Sequence, residues 1–66
     1  MKANLKAIKM RLIDLDLKQF DAAKNVGIVP PLYSAIVNDR VRATPELREK
    51  IAKSLNCKVM DIFEDE

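Results

Sequence analysis

The stretch DLKQFDAAKNVGIVPPLYSAIVNDR, residues 16 to 40, decides the fold. It holds the only glycine of the chain, Gly27, and two of its three prolines, Pro30 and Pro31. DLKQ at 16 to 19 reads as a capping box, in which the Asp16 carboxylate accepts from the amide of Gln19 and the Gln19 side chain reaches back. A helix then runs to about Val26. Gly27 is a natural left-handed stop, because it has no Cβ to clash there. Proline is tolerated in the first helical turn, where amide hydrogens lack intrahelical partners, so Pro30 and Pro31 open a second helix to about Asn38. The short Val26 to Pro30 connection puts the two in a helix-turn-helix relation, although many small bundles have equally short turns.

Upstream, Leu5, Ile8, Leu12 and Leu15 recur at spacings of three and four and predict a helix from Leu5 to Asp14, with Lys6, Lys9 and Arg11 off its apolar face. Downstream, TPEL at 44 to 47 repeats the proline device: Thr44 is the N-cap, Pro45 the first helical residue, and Glu46 faces the positive dipole end. That helix extends through Leu47, Ile51 and Leu55 to Asn56, which can adopt the left-handed stop. A short last helix is expected from Val59 to Phe63. The sum is an all-α, compact five-helix bundle with no strand.

Sixty-six residues allow one domain, residues 1 to 66, with a core too small for a large margin of stability. Apolar residues make up 48% and charged residues 33%, which fits a folded helical domain and not a disordered tail. The uncharged run between Val26 and Asp39 falls short of the roughly 20 residues a bilayer span needs. MKANLKAIKMR has no apolar signal core, so the expected location is the cytoplasm. Cys57 is the only cysteine and histidine is absent, so no internal disulfide and no ordinary zinc-ligand set is expected. The missing histidine, the missing glycine-rich phosphate loop and the small size also argue against an enzyme, a cofactor or a small-molecule substrate. Net charge is +2, but it is unevenly spread: an acidic tail from about residue 60 holds Asp61, Glu64, Asp65 and Glu66. The first 60 residues carry 12 bases against 6 acids, a balance of +6. Such a body suits phosphate, and equally the ordinary needs of solubility.

Taken together, IKMRLIDLDLKQFDAAKNVGIVPPLYSAIVNDR resembles the Cro/repressor-type (XRE-type) helix-turn-helix proteins. Leu17 and Gln19 match the family's opening of helix 2, Ala23 and Gly27 its middle and stop, and Ile36, Asn38 and Arg40 its closing of helix 3. The likeness continues without a gap through PELREKIAKSLNCKVMDIF, so it covers almost the whole chain. It implies a lambda-repressor-like bundle and a short regulator of the phage Cro kind. The chain departs from the pattern where the family faces base edges: Val29, Pro30, Pro31 and Ala35 replace polar residues. Asp39 stands where glycine is common. Ala22 replaces a core leucine, with Phe20 the nearest large side chain to refill the space.

The resemblance implies phosphate contacts by Gln19, and by Arg40 and Arg42 just after helix 3, with Asn38 beside them. Lys18, unfavourable at a helix start, would be relieved by an anion. Ser34 can bond a base, a phosphate or its own backbone carbonyl one turn back. Pro30, Pro31, Leu32 and Ala35 offer contacts to thymine methyl groups, or an apolar patch for a protein partner. Tyr33 is expected in the core and Cys57 as an inert thiol. These expectations describe a sequence-specific regulator that binds double-stranded DNA as a homodimer, nucleoid-associated when bound. Its pairing surface is expected at Val59, Ile62 and Phe63, exposed on a monomer. The competing expectation is a protein-interaction module or antirepressor that uses the apolar helix 3 face.

Overall fold

The computed structural model describes residues 1–65; Glu66, the last acidic residue of the tail, lies outside them. Among the described residues the chain forms β1 (Lys2–Ala3), α1 (Leu5–Asp14), α2 (Gln19–Val26), α3 (Pro30–Val37), α4 (Pro45–Ser54), α5 (Val59–Ile62) and β2 (Phe63–Glu64). α2 packs against α3 and α4, and α5 closes the bundle against α1 and α4. The radius of gyration is 10.3 Å. The core comprises Ile8 and Leu12 of α1, Ala22 and Ala23 of α2, Tyr33, Ile36 and Val37 of α3, Ile51 and Ala52 of α4, and Leu55, Ile62 and Phe63 beyond them, with Ala43 at its edge. No charged side chain is buried among the described residues. No helix among them is long and apolar enough to cross a membrane.

The first four helices share one way of stopping. Each is followed by a residue in the left-handed region: Asp16 at φ 50°, Gly27 at 87°, Asp39 at 61° and Asn56 at 55°. The next amide then reaches back five residues, from Leu17 to Leu12 O (2.9 Å), Ile28 to Ala23 O (3.1 Å), Arg40 to Ala35 O (2.8 Å) and Cys57 to Ala52 O (3.0 Å). This is the Schellman closure, which satisfies carbonyls a helix end leaves orphaned. A Cβ on Gly27 would meet nothing within 4 Å, so its backbone angle, and not crowding, favours glycine there.

Asp16 therefore ends α1; it does not cap α2. The N-cap of α2 is Lys18, without a side-chain cap bond, and the DLKQ capping box does not form. Aspartate suits both an N-cap and a left-handed stop, and here the second role wins because it brings half-buried Leu17 against the core. The Thr44 cap forms as expected, with its Oγ1 accepting from Leu47 N at 3.2 Å.

The ends of the chain differ from the all-helical expectation. β1 and β2 pair antiparallel, Lys2 opposite Glu64 and Ala3 opposite Phe63. Asn4 locks the pair: its amide donates to Ile62 O (2.9 Å), its Nδ2 to Glu64 Oε1 (2.9 Å), and its Oδ1 accepts from Ala7 N as the N-cap of α1. Phe63 thus belongs to a strand, and α5 stops one residue earlier than expected. The same clasp overturns the expected exposure at the carboxyl end. Ile62 and Phe63 are 0% and 3% exposed in the single chain, because the strand pair turns them inward, and Val59 is half-buried. Phe20 does not refill the space beside Ala22 either. It is 60% exposed and lies under the Lys24 ammonium, 5.7 Å from the ring centre, the spacing of an i, i+4 cation–π pair.

One cation has a structural role that periodicity did not disclose. Arg11 donates from Nε and Nη2 to Leu55 O (3.2 and 2.8 Å) and from Nη2 to Asn56 O (2.8 Å). These carbonyls lie just past the carboxyl end of α4, where a cation also complements the dipole.

Candidate nucleic-acid interface

α3 has two sharply different faces. Tyr33, Ile36 and Val37 point into the core, while Pro31, Ser34, Ala35 and Asn38 fall on the opposite side at spacings of three, one and three. Of these, Pro31 and Asn38 are exposed and Ser34 and Ala35 half-buried. Pro30 and Leu32 flank the stripe. Leu32 packs on the core, so its side chain is not part of the outward surface as expected. Val29, the N-cap of α3 and 62% exposed, adds apolar surface in its stead. The helix period carries this distinction: counted from Pro31, residue 32 turns inward by about a quarter turn.

The two polar side chains of the stripe bond to one another. Asn38 donates from Nδ2 to Ser34 O (2.8 Å) and, more weakly, to Ser34 Oγ (3.4 Å). The Ser34 hydroxyl is left with its own hydrogen, and Asn38 with its Oδ1 acceptor. α3 offers little else. Pro30 and Pro31 have no amide hydrogen, and the Leu32 amide already bonds Val29 O at 3.0 Å.

The start of α2 is the reverse case. No side chain caps it, so the amides of Gln19, Phe20 and Asp21 point outward without intrahelical partners. Lys18 is exposed beside them, and Gln19 is half-buried with no side-chain hydrogen bond among the described residues. Asp21 in the first turn partly offsets the positive end. At the far end of α3, Arg40 is exposed and its side chain has no partner among the described residues. Arg42 is engaged: Nη1 donates to Met1 O (3.1 Å) and Nε lies 3.3 Å from Asp39 Oδ1. The expected DNA-contact residues thus lie on the α2 start, α3 and the segment that follows, with Leu32 turned to the core, while the expected pairing residues Val59, Ile62 and Phe63 lie apart in α5 and β2.

Two groups titrate away from their usual ranges, and neither lies on this surface. Burial pushes the Tyr33 hydroxyl up to about 12, with the Cys57 thiol adding to the rise. Tyr33 is fully buried, as expected, and its Oη has no hydrogen-bond partner among the described residues. Burial also raises the Cys57 thiol, opposed by the Arg11 guanidinium and reinforced by Asp61. Its Sγ donates to Ala52 O at 3.6 Å, so the reactive thiolate is disfavoured. Comparison with protein-family models, curated proteins and solved structures returns no match.

Proposed function

We propose that this chain is a DNA-binding transcriptional regulator in which α2 and α3 act as a helix-turn-helix of the lambda-repressor-like kind. One observation carries the reading: the outer stripe of α3 is uncharged, while an exposed cation, Lys18, stands at the start of the helix packed against it and another, Arg40, follows its own end. A helix that enters the major groove must be free of anions and flanked by groups that meet the phosphates on either side. The uncapped amides of α2 support the same assignment, since a helix start with free donors accommodates a phosphate. Lys18, Gln19 and Arg40 contact phosphate, and Pro31, Ala35 and Val29 lie against base edges. The regulator acts in the cytoplasm, on the nucleoid. It binds as a homodimer, because a module of this size makes few contacts and two-fold pairing doubles them. The pairing surface does not include Ile62 or Phe63.

Selection from random duplexes tests this directly. The expected outcome is an enriched inverted repeat with half-sites about one helical turn, ~10 base pairs, apart. Arg40→Ala weakens binding to all sequences alike and lowers the salt slope by about 1. The 62% exposure of Val29 beside Pro31 favours the other reading, an apolar surface for a protein partner. A flat selection profile, with no enriched motif and no effect of Arg40→Ala, decides for it.

A further inference from the structure

Asp39 departs from local preference in three respects, the first two shared with Asp16. It adopts φ 61°, where glycine is favoured, and it places a carboxylate just past the carboxyl end of α3, where the helix dipole is negative. Its Oδ1 is shielded from solvent, and no donor among the described residues reaches it in hydrogen-bonding geometry. What the carboxylate does have is Arg42, whose Nε stands 3.3 Å away as an ion pair. The same guanidinium donates from Nη1 to the Met1 carbonyl at 3.1 Å, so the chain itself holds Arg42 on two sides. Arg40, two residues earlier, is held by nothing comparable among the described residues. The left-handed angle closes α3 through the Arg40 amide, but that closure does not need a charge, which leaves the ion pair with Arg42 as what the carboxylate supplies.

We propose that Asp39 is an internal competitor for phosphate that withholds Arg42 from unmatched DNA. The inference rests on the DNA-binding reading and names how that site is regulated. An ion pair whose side chains are 50% and 33% exposed, and whose contact falls short of hydrogen-bonding geometry, is weak enough for a well-placed phosphate to displace. Displacement leaves the Asp39 carboxylate facing the backbone it has just lost to. Only a phosphate in good bidentate geometry on Arg42 overcomes that repulsion. Loosely docked DNA leaves Arg42 on Asp39, and Lys18, Gln19 and Arg40 alone hold it. Asp39 thereby acts on discrimination without touching a base.

Asp39→Asn tests this, because asparagine tolerates the left-handed region and keeps the shape while removing the charge. Against a mixed-sequence duplex the variant binds about three- to tenfold more tightly near 0.15 M salt, with a salt slope steeper by about 0.9, the value for one added phosphate. In an Arg42→Ala background the same substitution changes affinity by less than about twofold, the residue of removing one negative charge. An unchanged slope, or an equal gain with and without Arg42, overturns the proposal. Asp39→Gly reproduces the gain where the asparagine variant folds poorly. Tripolyphosphate, followed at the Arg42 Nε–H resonance, separates the two readings. If neither protein binds duplex while Asp39→Asn binds tripolyphosphate through Arg42 more tightly than wild type, the DNA reading falls and the competition stands. Equal tripolyphosphate affinities overturn the competition itself.

Discussion

Tyr33→Phe should make this protein more stable, although it removes a polar atom from the middle of the core. The hydroxyl of Tyr33 is fully buried and has no hydrogen-bond partner among the described residues. In the unfolded chain it is hydrated, so folding strips its water without replacement, a penalty of about 1–3 kcal/mol. Phenylalanine keeps the ring and leaves a gap the size of one oxygen. At about 24 cal/mol per Å³, a gap of roughly 10 Å³ costs only about 0.2 kcal/mol. The net gain is about 1 kcal/mol or somewhat more, which for a domain of this size raises the melting temperature by about 4–8 °C per kcal/mol. A pH signature accompanies it. The folded hydroxyl ionises near 12, because burial disfavours the phenolate, whereas an unfolded tyrosine ionises near 10. Between those values the unfolded chain has released a proton that the folded chain retains, so it binds fewer protons and stability falls as pH rises. A separation of about two pH units converts to on the order of 2–3 kcal/mol, present in wild type and absent in the variant. Urea unfolding at pH 7, and at steps from pH 9 to 12, measures both effects; the difference between the two proteins cancels the titration of the lysines. A variant less stable than wild type at pH 7 shows that the hydroxyl has a partner, and the reasoning fails.

Three other outcomes follow from the geometry. Arg11→Ala removes the charged donor that bonds Leu55 O and Asn56 O, and should cost about 1.5–3 kcal/mol in thermal or urea unfolding; Arg11→Lys should recover only the dipole part, since one ammonium cannot reproduce the fork, and full recovery by lysine refutes the bidentate account. Asp16→Gly keeps the left-handed stop of α1 and relieves an aspartate whose side chain caps nothing, and should stabilise by about 0.5 kcal/mol once the flexibility of glycine in the unfolded chain is subtracted; a loss of stability there shows that the aspartate has a contact worth more than its strain. Replacing the thymines of a selected half-site by uracil removes methyl groups and leaves every hydrogen-bonding edge in place, so it should weaken binding several-fold if Pro31 and Ala35 lie on methyls, and leave it unchanged if they do not.

Most of the helical frame was legible because its boundaries are written in residues with a single conformational preference. Gly27 and the Thr44–Pro45 pair each admit one reading, and the structure has the stop and the cap where they stand. Asp16 admits two, and nothing in DLKQ distinguishes an N-cap from a left-handed stop until Leu17 is seen against the core. The strand pair was illegible for another reason: two residues are too few for an alternating pattern, and the pairing joins opposite ends of the chain. That single omission also misplaced Ile62 and Phe63, since an apolar ending reads as exposed unless something folds over it. Of the candidate surface, Lys18 and Arg40 were legible as cations at helix ends. The Asp39–Arg42 pair was not, because it forms beyond α3, where helical spacing no longer predicts neighbours.

The two helices of the proposed reading unit divide the chemistry between them, and the prolines are what enforces the division. An ordinary helix start offers three free amides; α2 keeps all three, uncapped, beside Lys18. α3 keeps none, since two of its first three residues are proline and the third amide is already bonded to Val29 O. A phosphate would therefore gain little at α3 and more at α2, which on the proposed reading orients the unit on a duplex by electrostatics before any base is met. On the same proposed reading the outer stripe of α3 would meet the groove with the Ser34 hydroxyl hydrogen and the Asn38 oxygen as its main polar resources. Neither forms the bidentate pairs that identify guanine or adenine, each worth about 1–3 kcal/mol. Discrimination on this reading has to come from methyl contacts, from the shape of the duplex and from phosphate geometry, the quantity to which Arg42, held by Asp39, is most sensitive.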